Sequence, residues 1–159
     1  MNGILLYESN PALSSYFSRL FNDFAKEDTF ILTTESLSET TRILEDIHIQ
    51  LFVFHEDVPS LGSVELLHLI RNRFPLTRTM VLTESVNPDQ KALYLENGAI
   101  AVTTFPDSPE SASRLRESIR SIINSRRMPA LPRYLNRLSE SMGLGLEQRS
   151  PMDQDMELA

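Results

Sequence analysis

The chain has 159 residues, is 41% hydrophobic and 23% charged, and carries a net charge of −7 with no cysteine. That suffices for one globular domain with a single core and some tail, and it excludes disulfides, thiol nucleophiles and thiolate metal sites. No apolar run approaches the roughly 18 residues of a membrane span. The opening MNGILLYESNP enters a strand-like run without the basic and long apolar regions of a signal peptide, so a cytoplasmic location is expected.

The charge is unevenly spread. Residues 1–107 hold 7 Lys/Arg against 15 Asp/Glu, a net of −8. Residues 108–137 hold seven arginines against Glu110 and Glu117, a net of +5, and residues 138–159 return to −4. An acidic body opposes general nucleic-acid binding, while the arginine cluster keeps a local version of it open.

In chain order, Ile4, Leu5, Leu6 and Tyr7 make a short apolar strand. Asn10 then caps a helix with Pro11 at its first position, and Leu13, Tyr16, Phe17, Leu20, Phe21 and Phe24 form its apolar stripe. Residues 30–32 form a second strand, and residues 36–47 a helix with Leu37, Thr41, Leu44 and Ile47 on one side. Residues 49–54 (IQLFVF) are a third strand, apolar enough to be central and covered on both faces. The polar loop HEDVPSLG leads into a third helix over 63–74, which Pro75 ends. Residues 79–83 (TMVLT) are a fourth strand, and Asn87–Pro88 open a fourth helix with Gly98 placed just past its end. Residues 100–104 are a fifth strand. Ser108 starts a fifth helix with Ala112, Leu115, Ile119, Ile122 and Ile123 inward.

Five strand–helix repeats predict an α/β fold with a doubly wound, five-stranded parallel sheet over residues 1–127. Residues 128–159 read as a linker, a short amphipathic helix through Leu131, Leu135, Leu138 and Met142, and a disordered acidic tail. Ligand sites in such sheets lie at the carboxyl ends of the strands, which places any chemistry near His55, Glu56 and Asp57.

ILLYESNP, LFVFHEDVPSLGSVELL, TMVLTES and NGAIAVTTFPDSPESASRL, in this order and spacing, resemble the receiver domain of bacterial response regulators from Gly3 to about Arg127. The resemblance implies the flavodoxin-like (βα)5 fold with strand order 2-1-3-4-5. In that family an acidic pair after strand one and an aspartate after strand three hold Mg²⁺. The aspartate accepts a phosphoryl group, and a Thr/Ser and a Lys bind its oxygens. Carried onto this chain, the acidic pair is Glu8–Ser9 and the acceptor position, four before Pro59, is His55. The hydroxyl is Thr83, the lysine position before Pro106 is Phe105, and the aromatic switch position is Val102.

Only Thr83 and half of the acidic pair are kept, so the site is degenerate. The leading expectation is a phosphorylation-independent pseudo-receiver, not an enzyme, with no metal or cofactor. It would act as a protein-interaction module in a bacterial two-component-like pathway. The resemblance places a protein partner, or a second copy in a homodimer, on the face of helix four, strand five and helix five: Lys91, Leu95, Val102, Arg116 and Arg120. One alternative is an atypical Mg²⁺-dependent phospho-acceptor using Asp57 with Glu8, since a shift of two residues along a strand keeps the same face. Another is a transcription-regulator fragment that contacts DNA through the basic segment 114–137.

The bland readings are specific too. His55 reads as a partly exposed loop histidine without ionic function. Metal binding by His55 with Glu56, Asp57 and Glu8 is opposed because neighbouring side chains on extended backbone point apart. Thr83 reads as a strand-end residue that hydrogen-bonds locally, and Glu8 as a carboxylate favoured by the first helix dipole. Arg114, Arg116 and Arg120 read as the solvated face of an amphipathic helix. Five glycines, no Gly-x-Ser-x-Gly elbow and three unpaired histidines (His48, His55, His68) give no other catalytic arrangement.

Overall fold

The computed structural model describes residues 2–22, 28–59, 61–85 and 87–125, all within a compact unit spanning Met1–Pro129. The linker, short helix and acidic tail expected over 128–159 lie outside the described residues, as does Phe24.

The elements alternate as β1 (Asn2–Tyr7), α1 (Pro11–Phe21), β2 (Thr29–Thr34), α2 (Leu37–Asp46), β3 (Leu51–His55), α3 (Ser63–Arg73), β4 (Arg78–Thr83), α4 (Pro88–Glu96), β5 (Ala99–Thr104) and α5 (Pro109–Asn124). The strands form one sheet in the order β2-β1-β3-β4-β5. All four pairings are parallel. Each boundary falls within a residue or two of its sequence signal, because the chain carries the chemistry that sets helix ends. Asn10 Oδ1 accepts from Ala12 N at 2.9 Å, Asn87 Oδ1 from Asp89 N at 3.0 Å, and Ser108 and Ser111 cap each other reciprocally.

Side chains alternate across each strand, so the sheet separates two apolar layers. Leu5, Tyr7, Phe52, Phe54 and Val81 pack with Leu66, Leu67 and Ile70 of α3, Leu44 of α2 and Tyr94 of α4. On the other side Ile4, Leu6, Leu51, Val53, Met80 and Leu82 pack with Phe17 and Phe21 of α1 and Leu115 and Ile119 of α5. All five residues of β3 are buried, as its central place requires. Ala112, Leu115 and Ile119 are the buried face of α5, with Ile122 and Ile123 only partly covered. No helix among the described residues is long and apolar enough to cross a membrane.

The expected inner side of α2 is corrected. Ser36 caps the helix and Ile47, at φ −130° and ψ 136°, has already left it, so Ile47 is 41% exposed. Thr40 faces inward instead, its hydroxyl bonding the Ser36 carbonyl at 2.8 Å and lying 2.6 Å from the Thr34 hydroxyl. A buried threonine is tolerated here because its polar atom is paired.

Two devices set the far end of the fold. Arg78, at the start of β4, donates to the Ile122 carbonyl at 2.6 Å and the Ser125 carbonyl at 3.3 Å, meeting the negative end of α5. Gly98 turns α4 into β5 at φ +114°, a left-handed conformation that side chains rarely adopt. A Cβ there would meet only Arg71 Cδ at 3.4 Å, so the penalty is conformational rather than steric. Gly98→Ala is expected to destabilise the fold by about 1–3 kcal/mol. The urea unfolding midpoint measures it, and an unshifted midpoint would refute this reading of the turn.

Candidate functional site

The crevice is built where β1, β3, β4 and β5 end together. Register sets Tyr7 beside Phe54, His55 beside Leu82 and Thr83 beside Thr104. Main-chain bonds carry the pairing one residue further. Glu8 N donates to Thr34 O at 3.0 Å, Glu56 N to Leu82 O at 2.9 Å, and Phe105 N to Thr83 O at 2.8 Å. Glu8, His55, Glu56, Thr83 and Phe105 therefore stand on strand ends rather than on mobile loop.

His55 is the last residue of β3 and only 7% exposed. This corrects the expected partly exposed loop histidine without ionic function. Its Nδ1 lies 3.1 Å from Glu8 Oε1, and Glu8 is itself buried. The other Glu8 oxygen, Oε2, accepts from Asn10 N at 3.1 Å in the turn entering α1, where a carboxylate is favoured. Phe105 closes the pair from the β5 side. Its ring meets the imidazole in a T-shaped contact (4.4 Å between centroids, 82° between planes) and stacks on Phe17 at 5.2 Å. The lysine position is thus filled by an aromatic plug anchored on α1.

Burial works against a charged imidazole at His55. The hydrogen bond and charge of Glu8, with Asp57 and Glu56 behind it, outweigh that, and the His55 pKa lies above its ordinary 6.5.

On the other side of the strand end, Glu56 Oε1 accepts from the Tyr94 hydroxyl at 3.0 Å, and Gln90 Nε2 donates to the same hydroxyl at 3.0 Å. Ser63 Oγ donates to the Glu56 carbonyl at 2.5 Å, fixing the start of α3 to the loop. Burial raises the Tyr94 pKa, so the phenol keeps its proton and donates at neutral pH. Tyr94 and Gln90 were not among the residues the sequence singled out. Their only signal is that Tyr94 is the one aromatic of α4.

Thr83 is 2% exposed, and its Oγ1 has no hydrogen-bond partner among the described residues. That corrects the expectation of a locally bonded strand-end hydroxyl. An unmet buried hydroxyl costs about 1–3 kcal/mol. Ser9 is half-buried, and Asp57 is exposed, outside the Glu8–His55 pair.

This donor set does not fit Mg²⁺. A hard cation takes several oxygen ligands, whereas the acidic pair offers one carboxylate with both oxygens already engaged. Among the described residues, no group of three His, Asp or Glu side chains is arranged to hold a metal ion.

The expected interaction face divides. Lys91 and Arg120 are exposed, Leu95 is 41% exposed, and Arg116 is half-buried. Arg120 lies 3.6 Å from Glu117 on its own helix. Val102 is corrected: β5 turns it into the layer with Phe54 and Tyr94, where it is buried and unavailable to a partner. Leu93 and Ile100, at 45% and 44% exposed, are large apolar side chains near this face that the sequence did not single out. Of the basic segment 114–137, residues 126–137 lie outside the described residues.

No protein-family model and no curated protein matches the sequence. Solved structures do. A response regulator receiver domain protein from Clostridium thermocellum is 21% identical, over 78% of this chain and 95% of that one, with a TM-score of 0.65. A response regulator from Thermotoga maritima is 18% identical over 79% and 99%, with a TM-score of 0.67. The beryllofluoride-activated NtrC4 receiver domain dimer is 19% identical over 77% and 97%, with a TM-score of 0.65. The chain therefore has the fold of response-regulator receiver domains, with the strand order that the resemblance implied.

The His55–Glu8 pair makes stability depend on pH. A raised native pKa means the pair's contribution is complete below about 6.5, the unfolded value, and fades as pH rises through the native one. Urea titrations across neutral and mildly alkaline pH are expected to show that loss, and Glu8→Gln to abolish it while drawing the His55 pKa down in ring NMR. A pH-independent difference between the two proteins would contradict the pairing.

Proposed function

We propose that the chain is a phosphorylation-independent pseudo-receiver, a protein-interaction module of a bacterial two-component-like regulatory pathway. One observation carries this reading. The place where a receiver would keep an acceptor aspartate, a metal carboxylate and a lysine is filled by a buried Glu8–His55 pair under the Phe105 ring. A phosphoryl group needs its charge neutralised as it transfers. Here the imidazole of His55, whose pKa is raised, is committed to Glu8, and Phe105 has no charge to offer. Asp57, the candidate acceptor of the alternative reading, is exposed and is not part of that ion pair, although its charge reaches His55.

A module without phosphoryl chemistry still needs a surface that others recognise. Lys91, Leu95 and Ile100 combine exposed apolar area with charge, and Arg116 and Arg120 add cations on α5. An exposed apolar patch rimmed by charge suits a partner protein or a second copy of the chain. The NtrC4 neighbour is described as a receiver domain dimer, which makes self-association a reasonable first partner to test.

The first test is an amide NMR titration with Mg²⁺, then with Mg²⁺ plus beryllofluoride. Resonances of Glu8, His55, Asp57 and Thr83 are expected to stay in place at millimolar Mg²⁺. Clustered shifts there would mean a working phospho-acceptor crevice and would sink the pseudo-receiver reading. The surface is tested separately: Arg116→Glu with Arg120→Glu is expected to abolish partner capture or self-association with folding intact. Unchanged association would move the docking face elsewhere.

A further inference from the structure

Of helices α1 to α5, α4 buries the fewest side chains. Only Tyr94 of its nine residues is buried, while Leu93 and Leu95 point outward at 45% and 41% exposure. Besides its packing against β5 and α3, α4 with its C-cap makes two side-chain hydrogen bonds to other elements among the described residues. Tyr94, in the last turn, donates to the Glu56 carboxylate at 3.0 Å and accepts from Gln90 one turn earlier, and just past the helix end the C-cap Asn97 Oδ1 lies 2.6 Å from His68 Nε2 of α3. A helix with little buried apolar area opens at low free energy, so a single hydrogen-bonded tether carries a large share of its local stability.

We infer that the Tyr94–Glu56 hydrogen bond is a latch: it sets the position of α4, and with it the surface of Lys91 and Leu95, from the loop that follows β3. The inference rests on the docking reading for its purpose, but the latch itself is defined within this chain. Glu56 is suited to the role because its main chain is pinned on two sides. Its N–H bonds Leu82 O on β4, and its carbonyl takes Ser63 Oγ on α3, so only the side chain is free to hold or release α4.

Hydrogen exchange on the full chain tests the latch without any partner. Tyr94→Phe keeps the buried ring and removes the donor. Amides of residues 91–97 are expected to exchange about three- to tenfold faster, with those of β1 and β3 unchanged. Glu56→Ala is expected to match it, the double variant to add nothing further, and Glu56→Gln, which keeps an acceptor oxygen, to restore slow exchange. Unchanged exchange in α4, or equal acceleration in the sheet, would overturn the latch. The regulatory half is read in the association assay, where Tyr94→Phe is expected to shift affinity at least threefold. If Arg116→Glu/Arg120→Glu abolishes association but Tyr94→Phe leaves it unchanged, the latch does not govern docking, although the docking face stands. If neither variant matters, the docking reading fails instead.

Discussion

Burying a charge in a protein is costly unless the charge is paired and its remaining hydrogen-bonding capacity is met. The crevice meets that condition at one point, between Glu8 and His55, and much of its geometry follows. Glu8 is held from both oxygens, one on the imidazole and one on the backbone that turns into α1. His55 can be buried at the end of the central strand only because that carboxylate comes with it. The pair in turn gives Phe105 a surface to close against, and through Phe17 the closure reaches back to α1. Two strands, a helix entry and the β5–α5 junction are thus joined through one ionic contact.

That contact also explains the limits of reading the site from sequence. The fold was legible because each element announces itself locally. Asn10–Pro11, Asn87–Pro88 and Ser108–Pro109 mark helix starts, Gly98 marks an end, and the apolar run of β3 marks the centre of the sheet. The position of His55 was legible as well, from its spacing to Pro59. Its burial was not, because HED reads as a polar loop and the partner that permits burial lies 47 residues away. Tyr94 escaped notice for the same reason. Its partner Glu56 is 38 residues distant, and the weak periodicity of α4 hides which face is inward. Val102 and Ile47 failed differently, each depending on which way one residue faces, in the middle of β5 and at the end of α2.

The polar contacts of the sheet's mouth are thus non-local, while the elements that present them are local. Caps and strand patterning fix where each strand ends, and only then do side chains of distant origin meet. At such an edge, loop residues take their character from what the neighbouring strands bring, so composition alone says little about them.

His55 and Glu56 are adjacent in the chain yet serve opposite layers of the sheet. His55 joins Phe17 and Phe105 on the α1 side, and Glu56 joins Tyr94 on the α4 side. The contacts of the two halves are separate, but the charge of Glu56 also raises the His55 pKa, so the halves remain coupled through charge. The sheet can change the contacts of either layer, but the charge at its mouth is shared. Its strand order can persist while sequence identity to a structure of the same fold falls to 21%.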